Sequence, residues 1–374
     1  MKFKVARANF HALLKDLSKI ERNAWVMDNG HVVKSVLSLS VSEGRLHMSV
    51  PGNGCAVRHS VYADEPEDGG PVYLDAKQLV GIVKNKSLGE KLSFKLTATG
   101  LAVEGASRFV LKSMDENTAG HMPFPEVHGS LPQMKAGDLQ SLIVNVKDFM
   151  LTKTDDPRFH IKGVYLHTNG DKLISVATNG SALGRYAVSR PDFLDIPHGL
   201  TIPASSINHM LAFLETVGSM FPVSIYIDET KFILVSPDGC FVTALVEAGY
   251  VNYEEVLGDG DSGISVDYQQ FAYAIELCLP QSSGYVGVCS VAGEDGLEAF
   301  SQSVDKGSAS SFFDADTGGG TVGPLAFNPK YMLPALTREV MIDFGDGVKP
   351  IRIRGQLDRE FHASIAPMRV SFVE

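Results

Sequence analysis

The chain has 374 residues, 44% hydrophobic and 21% charged, which is the make-up of a globular protein with real cores and suits two or three domains. Its net charge of −11 counts against a uniformly basic nucleic-acid binder, although the distribution of charge decides binding more than the sum. No stretch approaches the ~18 uninterrupted apolar residues of a membrane span, the first helix carries Lys15, Asp16 and Lys19, and Cys55, Cys240, Cys278 and Cys289 form no C-x-x-C pair, so a cytoplasmic protein with reduced thiols is expected.

Residues 9–22 have helical periodicity. Phe10, Leu13, Leu14 and Leu17 recur at i, i+3, i+4 and i+7, with Asn9 placed to cap them. A second face carries His11, Lys15, Lys19 and Arg22, which reads either as a solvated face or as a phosphate-binding stripe. Strand-like segments follow at 31–41, 45–50 and 56–63, then an acidic run at 64–70 expected as a loop. A helix is predicted from Asp75, with Ala76, Leu79, Val80 and Val83 inward and Lys77 and Lys84 on its other side. Strands at 91–97, 100–105 and 107–113 lead into a Pro-rich connector at 122–127.

The pattern then restarts. Asp138 is placed to cap a helix bearing Leu139, Leu142, Ile143 and Val146, and Asp267 precedes Tyr268, Phe271, Ala272 and Ile275 at the same offsets. Asn9, Asp138 and Asp267 are evenly spaced. Asp75, Pro203 and Asn328 likewise each open a segment with apolar residues four and eight positions on. Three hairpins turn at Gly54, Gly180 and Gly296, and the clearest is 173–188, where Asn179-Gly180 separates two strand-like segments. Two helices and a hairpin, each tripled in one order, predict three tandem domains and not a short-repeat solenoid. The polar, Gly-rich segment 301–323 is expected as a mobile loop.

Signatures of catalysis are missing. Residues 258–263 fit G-x-G-x-x-G as letters, but no buried strand precedes them and their carboxylates would repel a pyrophosphate, so they read as a linker. Asp259 and Asp261 do not complete a calcium ladder. Ser181 lies next to Gly180, which is not the spacing of a nucleophile elbow, and there is no P-loop or H-E-x-x-H. The expectation is no catalytic residue, no metal and no cofactor.

Several stretches carry a resemblance. Val176-Ala177-Thr178-Asn179-Gly180 with Leu183, then Phe327-Asn328-Pro329-Lys330-Tyr331, and Ala366-Pro367-Met368-Arg369-Val370 resemble the bacterial sliding clamps, the beta subunits of DNA polymerase III. Met1-Lys2-Phe3 and the connector 249–257 fit the same resemblance, which covers essentially the whole chain. It implies an α+β chain of three tandem domains of the DNA-clamp fold, 1–129, 130–259 and 260–374, each with two helices packed on antiparallel sheets. It also implies a head-to-tail homodimer closed into a ring, with Phe109 near Cys278 and Leu279 across the boundary. The implied role is a non-catalytic processivity factor that encircles double-stranded DNA of any sequence and tethers a polymerase. A ring-shaped docking adaptor never loaded on DNA is the alternative.

In such a ring the helices look inward, so His11, Lys15, Lys19, Arg22, Lys77, Lys84 and Lys147 would face DNA through phosphate contacts that suit sliding. The helix after Asp267 departs from this, having no Lys or Arg as far as Leu279 and carrying Glu276. The resemblance further implies a pocket for short peptides of the DNA polymerase and clamp loader. From the middle domain it would use Arg158, His160, Ile161, Gly163, Thr178, Gly180 and Leu183, with Val251 and Val256 from the connector. From the last domain it would use Asn328, Tyr331, Val348, Pro350, Pro367, Met368, Arg369 and Val370. Ser181 and Ala182 stand where the family usually has His and Arg, Glu255 replaces an Arg, Ala366 replaces a Met, and residues 371–374 extend the usual end. A partner peptide less acidic than the family's norm is therefore expected.

Overall fold

Alternating apolar residues build antiparallel sheets along most of this chain, and helices with one apolar stripe cover them. The computed structural model describes residues 1–20, 25–26, 32–33, 36–52, 54–114, 124, 130–153, 155–258, 263–292 and 294–370, without the side chains of 15, 16, 18–20, 25–26, 32–33 and 52. The chain divides into two compact units, each drawn from separated stretches: 1–140, 191–194 and 202–246 form one, and 141–190, 195–201 and 247–374 form the other.

The first unit contains an eight-stranded sheet in the order Gln133–Lys135, Pro222–Ile227, Lys231–Ser236, Gly239–Ala244, Cys55–Tyr62, Arg45–Gly52, Leu37–Ser42 and Gly69–Leu74. A five-stranded sheet runs Arg108–Leu111, Gly100–Glu104, Lys91–Thr97, Lys2–Ala6 and Asp64–Glu67. The helix Arg7–Ile20 buries Phe10, Leu14 and Leu17, and Phe10 meets Phe94 edge-on at 5.2 Å while Phe3 stacks on the same ring at 4.6 Å. Asn9 lies inside the first turn of this helix and does not cap it. The helix Ala76–Val83 starts where expected, with Asp75 accepting from the Gln78 amide at 3.1 Å. Its C-terminal carbonyls receive Arg7, whose guanidinium donates to Val83 O at 3.3 Å.

A second expectation fails in this unit. The acidic run is not a loop but the edge strand Asp64–Glu67 followed by the strand Gly69–Leu74. Its carboxylates meet the lysines of the adjacent strand, Glu67 with Lys2 at 3.3 Å and Glu65 with Lys4 at 2.6 Å, and one from the strand beyond, Asp64 with Lys91 at 2.9 Å. Charge complementarity across the ladder lets a strand form where side-chain propensity argues against one.

The second unit contains a nine-stranded sheet: Leu200–Pro203, Gly163–Asn169, Lys172–Thr178, Ala182–Ser189, His362–Ile365, Ile351–Gly355, Val340–Asp343, Ile264–Val266 and Ala315–Asp316. A four-stranded sheet runs Gly307–Phe313, Leu297–Ser303, Val286–Ser290 and Leu325–Phe327. Asp267 caps the helix Tyr268–Cys278 through the Gln269 and Gln270 amides. Its Phe271 stacks on Phe313 at 4.4 Å. The expected mobile loop 301–323 is largely a hairpin, because Leu297–Ser303 and Gly307–Phe313 pair through seven register positions and anchor Phe313 in that core. Asp138 sits within the helix Ala136–Val144, in its first turn and not at its cap. All three expected hairpins form, with Gly54, Gly180 and Gly296 at positive φ.

Candidate functional site

The site is built around the turn between Lys172–Thr178 and Ala182–Ser189 in the second unit. Asn179 Oδ1 accepts from the amides of Ser181 at 2.9 Å and Ala182 at 3.0 Å, an Asx turn that fixes the reversal. Thr178 Oγ1 accepts from the Gly180 amide at 3.1 Å and donates to Ala182 O at 2.7 Å. Gly180 has φ +89°, and a Cβ there would fall on the Arg158 guanidinium. Arg158 is itself held: its Nε and Nη2 donate to Asp156 at 3.0 and 2.8 Å. That fork keeps the Asp156 carboxyl well below the usual carboxylate range.

The strand His362–Ile365 lies antiparallel to Ala182–Ser189, with Leu183 opposite Ser364, and the Ala366 amide donates to Ser181 O at 2.8 Å. Val251, Asn252, Tyr253 and the short helix Glu254–Leu257 supply another wall. Tyr253 anchors that wall by packing with Ile174, Val176, Leu183 and Ala187, while its hydroxyl and His167 Nε2 are 2.6 Å apart. Burial pushes the Tyr253 phenol up to about 12 and lowers His167, so both stay neutral near pH 7. Tyr165 and Tyr250 stack beside them at 4.5 Å. What these elements enclose is a mainly apolar cavity of about 340 Å³. Its mouth carries Val251 and Val256, both substantially exposed.

Of the residues expected in a peptide pocket, Arg158, His160, Ile161, Thr178, Gly180, Leu183, Val251, Val256 and Pro350 line this cavity together. Val348, Met368, Arg369 and Val370 do not. They line a second hollow of about 460 Å³ with Leu325 and Ala326. The cause is the chain's path at its end: the Ala366 amide bonds Ser181 O, whereas two residues on the Met368 amide bonds Ala326 O at 2.7 Å. Pro367 and Tyr331 line neither hollow, Gly163 is buried in its strand, and Asn328 caps the helix Pro329–Met332 by accepting from Lys330 N at 3.0 Å. Asn252, Tyr253 and Ser364 line the cavity without having been foreseen. Ser364 had one signal, since alternation places it on the face of Ala366 at the head of the matched terminal motif. Glu255 accepts from Asn252 Nδ2 at 2.6 Å, so its charge is held at the rim.

The basic set is less organised. His11 is half-buried on its helix, Lys77 and Lys84 are exposed, and Lys147 lies in the turn Lys147–Phe149 with Asp148 at 3.5 Å. The side chains of Lys15 and Lys19, and all of Arg22, lie outside the described residues. At the expected subunit boundary, Phe109 and Leu279 are exposed, Phe109 on the edge strand Arg108–Leu111. Cys278 is a correction: it is fully buried, its thiol directed at the carbonyls of Ala299 and Ala309, because it occupies the inward stripe of its helix with Phe271 and Ile275. Among the described residues no group of three or more His, Cys, Asp or Glu side chains could hold a metal ion, and no helix is long and apolar enough to cross a membrane.

No family model matches the chain. Individual proteins do. The beta sliding clamp of Salmonella typhimurium is 24% identical over 383 residues, covering 99% of this chain and 100% of that protein. The beta sliding clamp of Escherichia coli K12 is 22% identical with the same coverage, and that of Bacillus subtilis 24% identical over 81% of each chain. Among solved structures, the sliding clamp (DNA polymerase III subunit beta) of Bartonella birtlesii bound to griselimycin superposes with a TM-score of 0.85 at 20% identity. The DNA polymerase sliding clamp of Pseudomonas aeruginosa gives 0.83 at 21%, and both cover 99% of this chain and 100% of theirs. The fold of the whole chain is therefore that of the sliding clamps.

Proposed function

We infer that this chain is a divergent bacterial beta sliding clamp, and from that premise that it is a non-catalytic processivity factor which holds a DNA polymerase on duplex DNA. The single observation that carries this is similarity in both sequence and fold along essentially its full length, with named clamps matched from end to end. Association with DNA and with a polymerase follows from that membership.

Three finer statements belong to the same proposal. The chain consists of three clamp domains, 1–129, 130–259 and 260–374, and two copies close head to tail into a ring. The exposed Phe109 and Val110 on an edge strand, and the exposed Leu277 and Leu279, support this closure by offering apolar surface in the first and the last domain. The cavity beside Gly180 receives short peptide segments of the polymerase and of a clamp loader, which its apolar lining and small size support. His11, Lys15, Lys19, Arg22, Lys77, Lys84 and Lys147 face the DNA. An adaptor that docks proteins without encircling DNA is the second reading, favoured by the helix Tyr268–Cys278, which has no basic residue, and by the Lys147–Asp148 pair.

Retention on nicked circular DNA, with a clamp loader present, separates the two. A clamp stays on the circle and runs off the same DNA once it is linearised, whereas equal retention on both forms, or on neither, defeats the clamp reading. Light scattering tests the dimer, and a monomer at micromolar concentration would sink ring closure by two copies.

A further inference from the structure

The floor of the cavity is not uniformly apolar. Ser364 is buried, 2% exposed, and its Oγ has no hydrogen-bond partner although it lines the cavity. Its neighbours across the ladder are Leu183 on one side and Arg352 on the other, so the three side chains share one sheet face. Arg352 lies against Gly258, where the helix Glu254–Leu257 ends, and its Nε is also buried without a partner. Buried polar groups in native proteins are nearly always bonded, so an orphan hydroxyl on a residue that lines a cavity marks a place where a ligand atom belongs.

We propose that the cavity takes a peptide side chain with an apolar stem and a hydrogen-bond-accepting tip, and that Ser364 Oγ donates to this tip at the floor. The inference rests on the peptide-docking reading of the cavity and adds the chemistry of its occupant. The acceptor character follows from the hydroxyl proton of Ser364, which has no acceptor among the described residues and finds one in a carbonyl or carboxamide oxygen. The apolar stem follows from Leu183, Val251 and Val256, which line the same cavity. Ser364 is thus a specificity-determining residue.

The test uses the full-length protein and capped hexapeptides of alternating leucine and serine, with single Leu→Asn versions at each leucine in turn. Asn is close to Leu in shape and ends in a carboxamide. Each peptide is titrated by NMR against the wild type, Ser364→Ala and Ser364→Val, with circular dichroism checking the fold of each variant. One Leu→Asn peptide should bind the wild type at least as well as its parent and lose about three- to tenfold on both variants, the worth of one neutral hydrogen bond. The parent peptide should bind Ser364→Val more tightly than it binds the wild type. If every Leu→Asn exchange weakens binding by the same factor on all three proteins, Ser364 does not read the ligand and the inference is overturned, while docking stands. If no peptide binds any of the three folded proteins, the docking reading itself fails and takes the inference with it.

Discussion

The cavity in the second unit and the basic side chains of the first unit are two different kinds of site. Around the cavity nearly every atom is placed by another: Asn179 fixes the turn, Asp156 fixes Arg158, His167 fixes Tyr253, and strand pairing fixes Leu183 against Ser364. Lys77 lies exposed on a helix whose core does not need it, and Lys84, also exposed, caps the end of that helix through its backbone and not its side chain. On the function proposed above, the contrast follows from what each site must recognise. A side chain of defined shape needs a pre-organised receptor, whereas a phosphate backbone of arbitrary sequence needs only positive charge within reach. Substitution should therefore break the first site through the fold and the second without touching it.

Gly180→Val tests the first half of that statement most severely. A β-branched residue at φ +89° is strained, and its side chain would displace the Arg158 guanidinium. The expected cost is about 1–3 kcal/mol of stability, with peptide affinity falling tenfold or more. Calorimetry and peptide titration read the two effects. An unchanged melting temperature would show that the turn relaxes without positive φ and that the cavity is less rigid than its bonds suggest.

The same contrast explains what was legible in the sequence. Helices announced themselves by apolar spacing, so helices do begin after Asp75 and Asp267, whereas Asn9 and Asp138, the two expected caps, lie inside theirs. The turn at Gly180 was legible because Asn-Gly has few other uses. The strand Asp64–Glu67 was not, since what stabilises it are lysines from strands distant in the chain. The matched motif puts Met368 in the same pocket as Leu183, because it shows which residues recur and not that the chain turns between Ala366 and Met368. Ser364 was missed for a related reason: a lone serine in an apolar strand gains meaning only when its hydroxyl is seen to lack a partner.

A second test of the organised site is its response to acid. His362 lies in register with Arg185 and Arg354 on the strand that carries Ser364. Burial first, and then the two guanidinium groups, lower it from 6.5 to about 4, opposed by a hydrogen bond to the Arg359 backbone and then by Glu360. The unfolded chain therefore takes up this proton between pH 6.5 and 4 while the folded chain does not. The contribution is intact above pH 6.5 and lost as pH falls towards 4, by about 2–3 kcal/mol for this group. His362→Gln should flatten that part of the pH–stability curve measured by urea unfolding. Parallel curves for wild type and variant would show that His362 is not held neutral in the fold.

A smaller effect is expected from Met368→Ala. Met368 is partly exposed and lines the second hollow, separate from the cavity of Leu183 and Ser364. If the bound segment is anchored in the cavity alone, trimming this flexible side chain should weaken peptide binding by about threefold or less, as rim contacts do. A loss above tenfold, with the fold intact, would mean that one ligand spans both hollows and that the second is an anchor in its own right.

The mildest change should come from Lys77→Gln with Lys84→Gln, and it probes the other half of the comparison. Both side chains are exposed on or at the end of the helix Ala76–Val83, whose buried residues are Ala76, Leu79 and Val83. Exchanging them removes charge from the outer face and nothing from the core, so melting temperature and peptide affinity should not move. Affinity for duplex DNA should fall a few-fold at moderate salt. The slope of log affinity against log salt should drop by ~0.9 for each phosphate that a lysine no longer neutralises, equally for unrelated DNA sequences. The slope is the informative quantity, because a change of fold alters affinity without removing a set number of counterions. A double variant that keeps the wild-type slope would exclude this helix from the DNA-facing set and leave that role to the basic side chains of the helix Arg7–Ile20.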